Sequence, residues 1–174
     1  NYNIYLSNRL YQKGGGVVIY VRNDLTSFPI EFEILVDEVE HVWCKIVTNK
    51  ETILLGCIYR VPYSNRLTSN EINKIIIKSK YLAERLSACL IITGDFNYAD
   101  IKWTDDGGIY KGNGKALSRE FVDILNNNYL DQVVTFPTFN KNTLDLVITN
   151  NKHRLTDIKC GPPISCSKNG LLHC

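Results

Sequence analysis

Between Ile53 and Thr93 the chain reads as a strand, a long amphipathic helix and a second strand, and this unit limits the fold more than any other feature. Residues 53–59 (ILLGCIY) form an apolar run that Arg60-Val61-Pro62 closes, because proline lacks the amide that a ladder needs. Thr68 with Glu71 has the spacing of a capping box and predicts a helix start at Thr68. Ile72, Ile75, Ile76, Leu82, Ala83 and Leu86 then recur near a 3.6-residue period and form one apolar face. Leu90-Ile91-Ile92-Thr93 is too short and too apolar for a surface strand and belongs in the middle of a sheet. A crossover of this length lets both strands run parallel, and such connections are nearly always right-handed. Parallel strands deliver their C-terminal ends to one sheet edge, so Tyr59 and Asp95 are expected close together. An antiparallel strand beginning at Leu144 brings Asp145 to the same edge.

Around this unit the other elements are weaker. Gly14-Gly15-Gly16 breaks the chain before Val17-Val18-Ile19-Tyr20-Val21, a β-branched run expected to be a buried strand. Residues 42–47 predict another strand. Asp100 to Gly114 reads as a long polar, glycine-rich loop around Trp103. A second helix follows with Leu117, Phe121, Ile124 and Leu125 facing inward, and Leu144–Thr149 and Leu155–Lys159 predict late strands. With no repeat, low-complexity tract or linker, 174 residues suit one domain.

Composition excludes more than it identifies. With 44% hydrophobic and 22% charged residues the chain is of the ordinary soluble globular kind. A net charge of +2 is too mild to imply a nucleic-acid partner by itself, so any basic footprint is local. No apolar run approaches the roughly 18 residues that a membrane span requires. The sequence contains no methionine, and a piece of something longer is expected. Cys44, Cys57 and Cys89 sit in apolar strand-like runs and read as small buried hydrophobes. His153, Cys160, Cys166, His173 and Cys174 lack the paired spacing of zinc ligands, and free thiols in a reducing, intracellular setting are expected.

Gly94-Asp95-Phe96-Asn97 is the stretch richest in chemistry. A buried strand ends at a glycine and then presents a carboxylate and a carboxamide two residues apart. Asp95 is able to hold or deprotonate a water there, and Asn97 to orient a phosphate oxygen or the same water. The same residues also suit a simple turn, since Asp and Asn side chains bond nearby backbone.

Four segments decide between these readings. Gly14 to Tyr20 (GGGVVIY), Tyr59 to Pro62 (YRVP), Gly94 to Trp103 (GDFNYADIKW) and Thr143 to Thr149 (TLDLVIT) occur in one order. Together they resemble the endonuclease/exonuclease/phosphatase superfamily, and within it the endonuclease domain that precedes a reverse transcriptase in non-LTR retrotransposons. The resemblance spans Gly14 to Pro163. It implies an α/β fold of the α+β, four-layer sandwich type, with mixed sheets flanked by helices, DNase I-like and truncated at both ends. Residues 1–163 are then a partial domain and 164–174 a divergent tail.

The resemblance also implies roles. Asp95 would align and activate the attacking water and, weakly, bind the metal. Asn97 would bind the scissile phosphate or that water, Tyr59 would donate a hydrogen bond to phosphate, and Asp145 would orient a catalytic histidine. Arg60, Asn65 and Trp103 become substrate-binding candidates, Trp103 reading first as a loop anchor and second as a platform for a base, with Arg66, Lys102, Lys111 and Lys115 as further phosphate contacts. The implied cofactor is Mg²⁺, the implied partners are DNA and a reverse-transcriptase domain on the parent polypeptide, and the parent protein is expected to act in the nucleus.

Three departures stand out. The family carries a metal-binding Glu ahead of the glycine segment, whereas residues 1–13 contain no acid. Its closing Ser-Asp-His has no match after Ser165, where Cys166-Ser167-Lys168 follows, and His173 is the nearby imidazole. Related sequences often carry Asn where this chain has Tyr63, and Asn65 is a possible substitute. These losses predict a chain inactive as written. A same-fold phosphatase of small phosphorylated molecules and a non-catalytic binding remnant are the alternatives.

Overall fold

The computed structural model describes residues 1–8, 15–33, 39–110, 116–161 and 171–173. An antiparallel hairpin comes first, with β1 (Tyr2–Ser7) paired to β2 (Val17–Arg22). A mixed six-stranded sheet follows, built from β3 (Thr26–Ile30), β4 (Glu40–Val47), β5 (Thr52–Tyr59), β6 (Cys89–Asp95), β10 (Asp145–Thr149) and β9 (Asp131–Gln132) in that spatial order. Helix α1 (Arg66–Arg85) connects β5 to β6, and these two strands are parallel, as the crossover length predicts. Strand β7 (Ile101–Thr104) and β8 (Gly107–Tyr110) form a second hairpin before α2 (Ala116–Asn127). A short antiparallel pair of β11 (Lys159–Gly161) and β12 (Leu171–His173) comes last.

Side-chain alternation sorts the large sheet into two faces. Leu54 and Ile58 on β5, Leu90 and Ile92 on β6, and Leu146 and Ile148 on β10 pack under the helices. Ile72, Ile75, Ile76 and Ala83 of α1 and Phe121, Val122 and Leu125 of α2 complete that core. On the other face Cys44 and Ile46 of β4, with Ile53, Leu55 and Cys57 of β5, meet Ile19 and Val21 of β2. Each fully buried aliphatic side chain contributes roughly 1.5–3 kcal/mol. Among the described residues this makes three layers: helices, the six-stranded sheet and the β1–β2 hairpin.

Several expectations change. Helix α1 starts two residues before Thr68, because the Asn65 side chain accepts from the Thr68 amide at 2.9 Å and serves as N-cap. Glu71 is therefore no capping-box acid and pairs with Lys74 at 3.1 Å. Strand β2 is half-buried, with Val21 inside at 3% exposure and Tyr20 outside at 60%, because only one of its faces has a sheet to cover. The polar loop after Asp100 contains the β7–β8 hairpin, whose two-residue turn ends in Gly107 at φ +113°. Only Lys159 of the expected Leu155–Lys159 strand is extended into a ladder; a 3-10 turn occupies Lys152–Arg154, and Asp157 at φ +54° interrupts extension.

Two glycines in the sheet allow contacts that no side chain permits. At Gly56 an added Cβ would lie 2.3 Å from the Trp43 ring, which is its cross-strand neighbour. Gly94 has φ +142°, and a Cβ there would lie 1.9 Å from the Ile58 carbonyl oxygen. Gly94→Ala therefore combines a forbidden dihedral with a backbone clash and is expected to cost about 3 kcal/mol or more. Urea denaturation measures this, and a loss below about 1 kcal/mol contradicts the close packing of β6 on the end of β5.

Candidate active site

The two carboxylates of the site are direct cross-strand neighbours, since Asp145 on β10 pairs in register with Asp95 on β6. Leu146 and Ile92 point to the helices, so Asp145 and Asp95 point to the opposite face. Tyr59 follows Cys57 by two residues and lies on that face at the same edge. The structure thus brings Tyr59, Asp95 and Asp145 together along three neighbouring strands. It also adds a residue that motif reading missed: Glu40, the register partner of Tyr59, lies in the same row on β4. Glu40 is buried and accepts a hydrogen bond from the Gly16 amide. The sequence does hold a signal for it, because 40, 42, 44 and 46 share one face of a strand.

Asn97 stands in a tight turn beyond β6. Its φ of +51° is left-handed, a conformation Asn tolerates better than most residues. Its amide donates to Asp95 Oδ1 at 3.0 Å, and its Nδ2 donates to the Arg60 carbonyl at 2.7 Å. The turn is tied on both sides, by Phe96 N to Leu144 O at 2.9 Å and Arg60 N to Asp95 O at 2.9 Å. Phe96 is wholly buried against Phe121 and roots the turn in the core. On β10 the Thr138 hydroxyl accepts from the amides of Leu144 and Asp145, each at 3.0 Å, which sets where Asp145 begins.

Electrostatically the pair is costly. Burial, followed by the neighbouring Asp145, pushes the Asp95 carboxyl up to about 6, against the opposing bonds from Asn97. Burial also raises Asp145, opposed by its bond with Thr138. Asp145 Oδ2 is buried without a hydrogen-bond partner. Hard carboxylate oxygens, one of them unsatisfied, are the donors Mg²⁺ uses when it keeps most of its waters. Among the described residues no group of three or more His, Cys, Asp or Glu side chains is placed to hold a metal, so one or two carboxylates are what the site offers.

The remaining candidates fall elsewhere. Arg60, expected in an exposed loop, is only 4% exposed, and its guanidinium stacks 4.1 Å from the Tyr98 ring centre. Trp103 is 4% exposed with its ring edge-on to Phe121, so it anchors the hairpin and has no face free for a base. The Asn65 carboxamide oxygen is taken by the α1 cap. Arg66 pairs with Glu120 at 2.6 Å, and Lys102 is exposed on β7. Lys111 and Lys115 lie outside the described residues, as do Cys166 and Cys174 of the zinc reading; Cys160 is a free, exposed thiol. A cavity of about 720 Å³ opens beside the Asn97 turn on the side of α2, lined in part by Arg60, Tyr63, Asn97, Tyr98, Ser118 and Asn142, and not by Tyr59, Asp95 or Asp145.

The raised Asp95 carboxyl has a consequence for stability. Its folded-state value lies above the ordinary 3.8, so between about 4 and 6 the folded state holds the proton that the unfolded state has released. Stability therefore falls as pH rises through that window, and Asp145 acts in the same direction. Asp95→Asn is expected to exceed the wild type in stability by about 1–2 kcal/mol at neutral pH, discounted for partial exposure. The gain disappears at acid pH. Denaturation at both pH values checks this, and a variant less stable at neutral pH contradicts it.

Comparison with known proteins agrees with this geometry. A protein-family model described as endonuclease-reverse transcriptase matches residues 53–168, two thirds of the chain. No curated protein matches. The endonuclease domain of TRAS1, a telomere-specific non-LTR retrotransposon, is similar at 14% identity with a TM-score of 0.65, over 97% of this chain and 77% of that one. An endonuclease/exonuclease/phosphatase family protein from Bacteroides thetaiotaomicron is similar at 14% identity with a TM-score of 0.54, over 97% and 68%. The human Nocturnin catalytic domain, solved with a bound sulfate anion, is similar at 11% identity with a TM-score of 0.53, over 86% and 61%. Identities this low establish the fold alone: a mixed sheet with two helices of the DNase I-like kind. With the family match over β5 to β10 added to them, the chain belongs to the endonuclease-reverse transcriptase family.

Proposed function

We propose that this chain carries the water-activating and phosphate-binding half of a retrotransposon-type DNA endonuclease, a hydrolase of phosphodiester bonds. The observation that carries the reading is the cross-strand pair of Asp95 and Asp145, in one row with Tyr59 and next to Asn97. A carboxylate pair of unequal environment at a strand edge suits proton transfer better than packing, since burying both costs stability. Above about pH 6 Asp95 is ionised and able to accept a proton from a water attacking phosphorus. Asn97 steadies that water, and the Tyr59 phenol donates to a phosphate oxygen. Asp95 and Asp145 are the residues that would hold Mg²⁺, which when bound neutralises charge on the phosphate oxygens. DNA is the substrate this reading favours, and a reverse-transcriptase domain on the parent polypeptide and action in the nucleus belong to the same proposal.

Activity is proposed to be feeble in this chain. No acid lies within residues 1–13 and no Ser-Asp-His follows Ser165, so the metal-binding Glu and the imidazole paired with Asp145 lack matches. A general acid–base group contributes about 10²–10⁴-fold, and an electrostatic stabiliser of the leaving oxygen a comparable factor. Plasmid nicking with Mg²⁺, run beside Asp95→Ala, is expected to show slow cleavage that the substitution removes. Fast cleavage abolished by Asp95→Ala would show that other groups, with Glu40 first in line, replace the missing ones. Cleavage indifferent to Asp95→Ala sinks the catalytic reading, and the fold then serves binding alone.

A further inference from the structure

The Arg60 guanidinium is buried where a surface contact was expected, and its bonds converge on the turn that carries Asn97. Nη1 donates to the carbonyls of Phe96 and Asn97, both at 3.4 Å. Nε and Nη2 reach Ser69 Oγ at 3.4 and 3.3 Å, and Nη2 also approaches the Ser64 carbonyl at 3.5 Å. One planar group therefore joins the exit of β5, the first turn of α1 and the turn after β6. The main chain interlocks in the same place, with Arg60 N bonded to Asp95 O and Asn97 Nδ2 bonded to Arg60 O. The left-handed Asn97 is a conformation that Asn tolerates, and these bonds fix it in place. With Nδ2 on a carbonyl oxygen, the carboxamide has one orientation, because its oxygen in that place would face another oxygen.

We propose that Arg60 is a positioning residue, which locks the Asn97 turn so that the carboxamide nitrogen is held between the Arg60 carbonyl and the Asp95 carboxylate. The inference rests on the phosphodiesterase reading for its function and on the hydrogen bonds alone for its geometry. It replaces a phosphate-contacting role for Arg60 with a buried one and makes the orientation of the Asn97 carboxamide depend on it. Lysine cannot substitute, since a point charge on a flexible stem does not span four acceptors as a rigid fork does.

The test uses the full chain and two readouts. The Asn97 side-chain amide is identified by NMR through its loss in Asn97→Asp, and its hydrogen exchange is measured in the wild type, Arg60→Lys and Arg60→Met. Exchange is expected to quicken about tenfold in both variants, the factor that one net hydrogen bond corresponds to, while backbone amides of β6 stay protected. Unchanged exchange in Arg60→Lys overturns the proposal, and that variant decides alone if Arg60→Met does not fold. In the nicking assay Arg60→Lys and Asn97→Ala are expected to slow cleavage by similar factors, with the double variant no slower than either. Independent, multiplying losses also overturn the proposal. A wild type that does not nick counts against the phosphodiesterase reading instead, and amide exchange then decides the positioning role.

Discussion

The parallel pairing of β5 with β6 is the constraint on which the rest depends. It requires a crossover long enough to return the chain, which α1 provides, and it requires Gly94, whose missing side chain lets β6 close on the Ile58 carbonyl. Both strand ends then reach one edge, and the antiparallel β10 brings the start of a third strand to meet them. Hydrophobic burial on the two faces holds the sheet together. The register, however, determines which polar side chains stand side by side, because a one-residue slip would turn Asp95 or Asp145 to the helix side.

At that edge the molecule accepts an electrostatic cost. Two carboxylates share a partly buried face, one with an oxygen that has no partner, and Glu40 lies buried two strands away. Fold stability alone would favour apolar or neutral residues in such places. The hydrogen bonds around the pair do not neutralise it; they orient it, through Thr138 on one side and the Asn97 amide on the other. Arg60 contributes its charge from the helix side of the sheet, stacked on Tyr98 and bonded to neutral acceptors.

Much of this was legible in the sequence where period and chemistry agreed. Ile72, Ile75 and Ile76 announce the inner face of α1 and are buried there, and the strands ending at Tyr59 and Thr93 run parallel as their spacing requires. Legibility failed where one residue type serves two ends. Asn65 and Thr68 are both capable of capping a helix, and only the backbone path shows that Asn65 does so. Ile101 and Trp103 alternate with Lys102 in a strand, yet the glycines and aspartates around them resemble a loop. Arg60 reads as a surface cation because arginines usually are, and only packing on Tyr98 reveals it as internal.

The sequence by itself determined the β-α-β unit, the two faces of its helix and the family to which the chain belongs, because these depend on local periodicity and on short strings of residues. It also named Tyr59, Asp95, Asn97 and Asp145. What only the tertiary structure decided was their neighbourhood: that Asp145 stands opposite Asp95, that Glu40 stands opposite Tyr59, and that Arg60 is inside. The physical reason is that strand register and side-chain burial are set by contacts between segments far apart in the chain. A pattern read along one segment determines its shape, and the partner that segment meets determines what its polar groups are able to do.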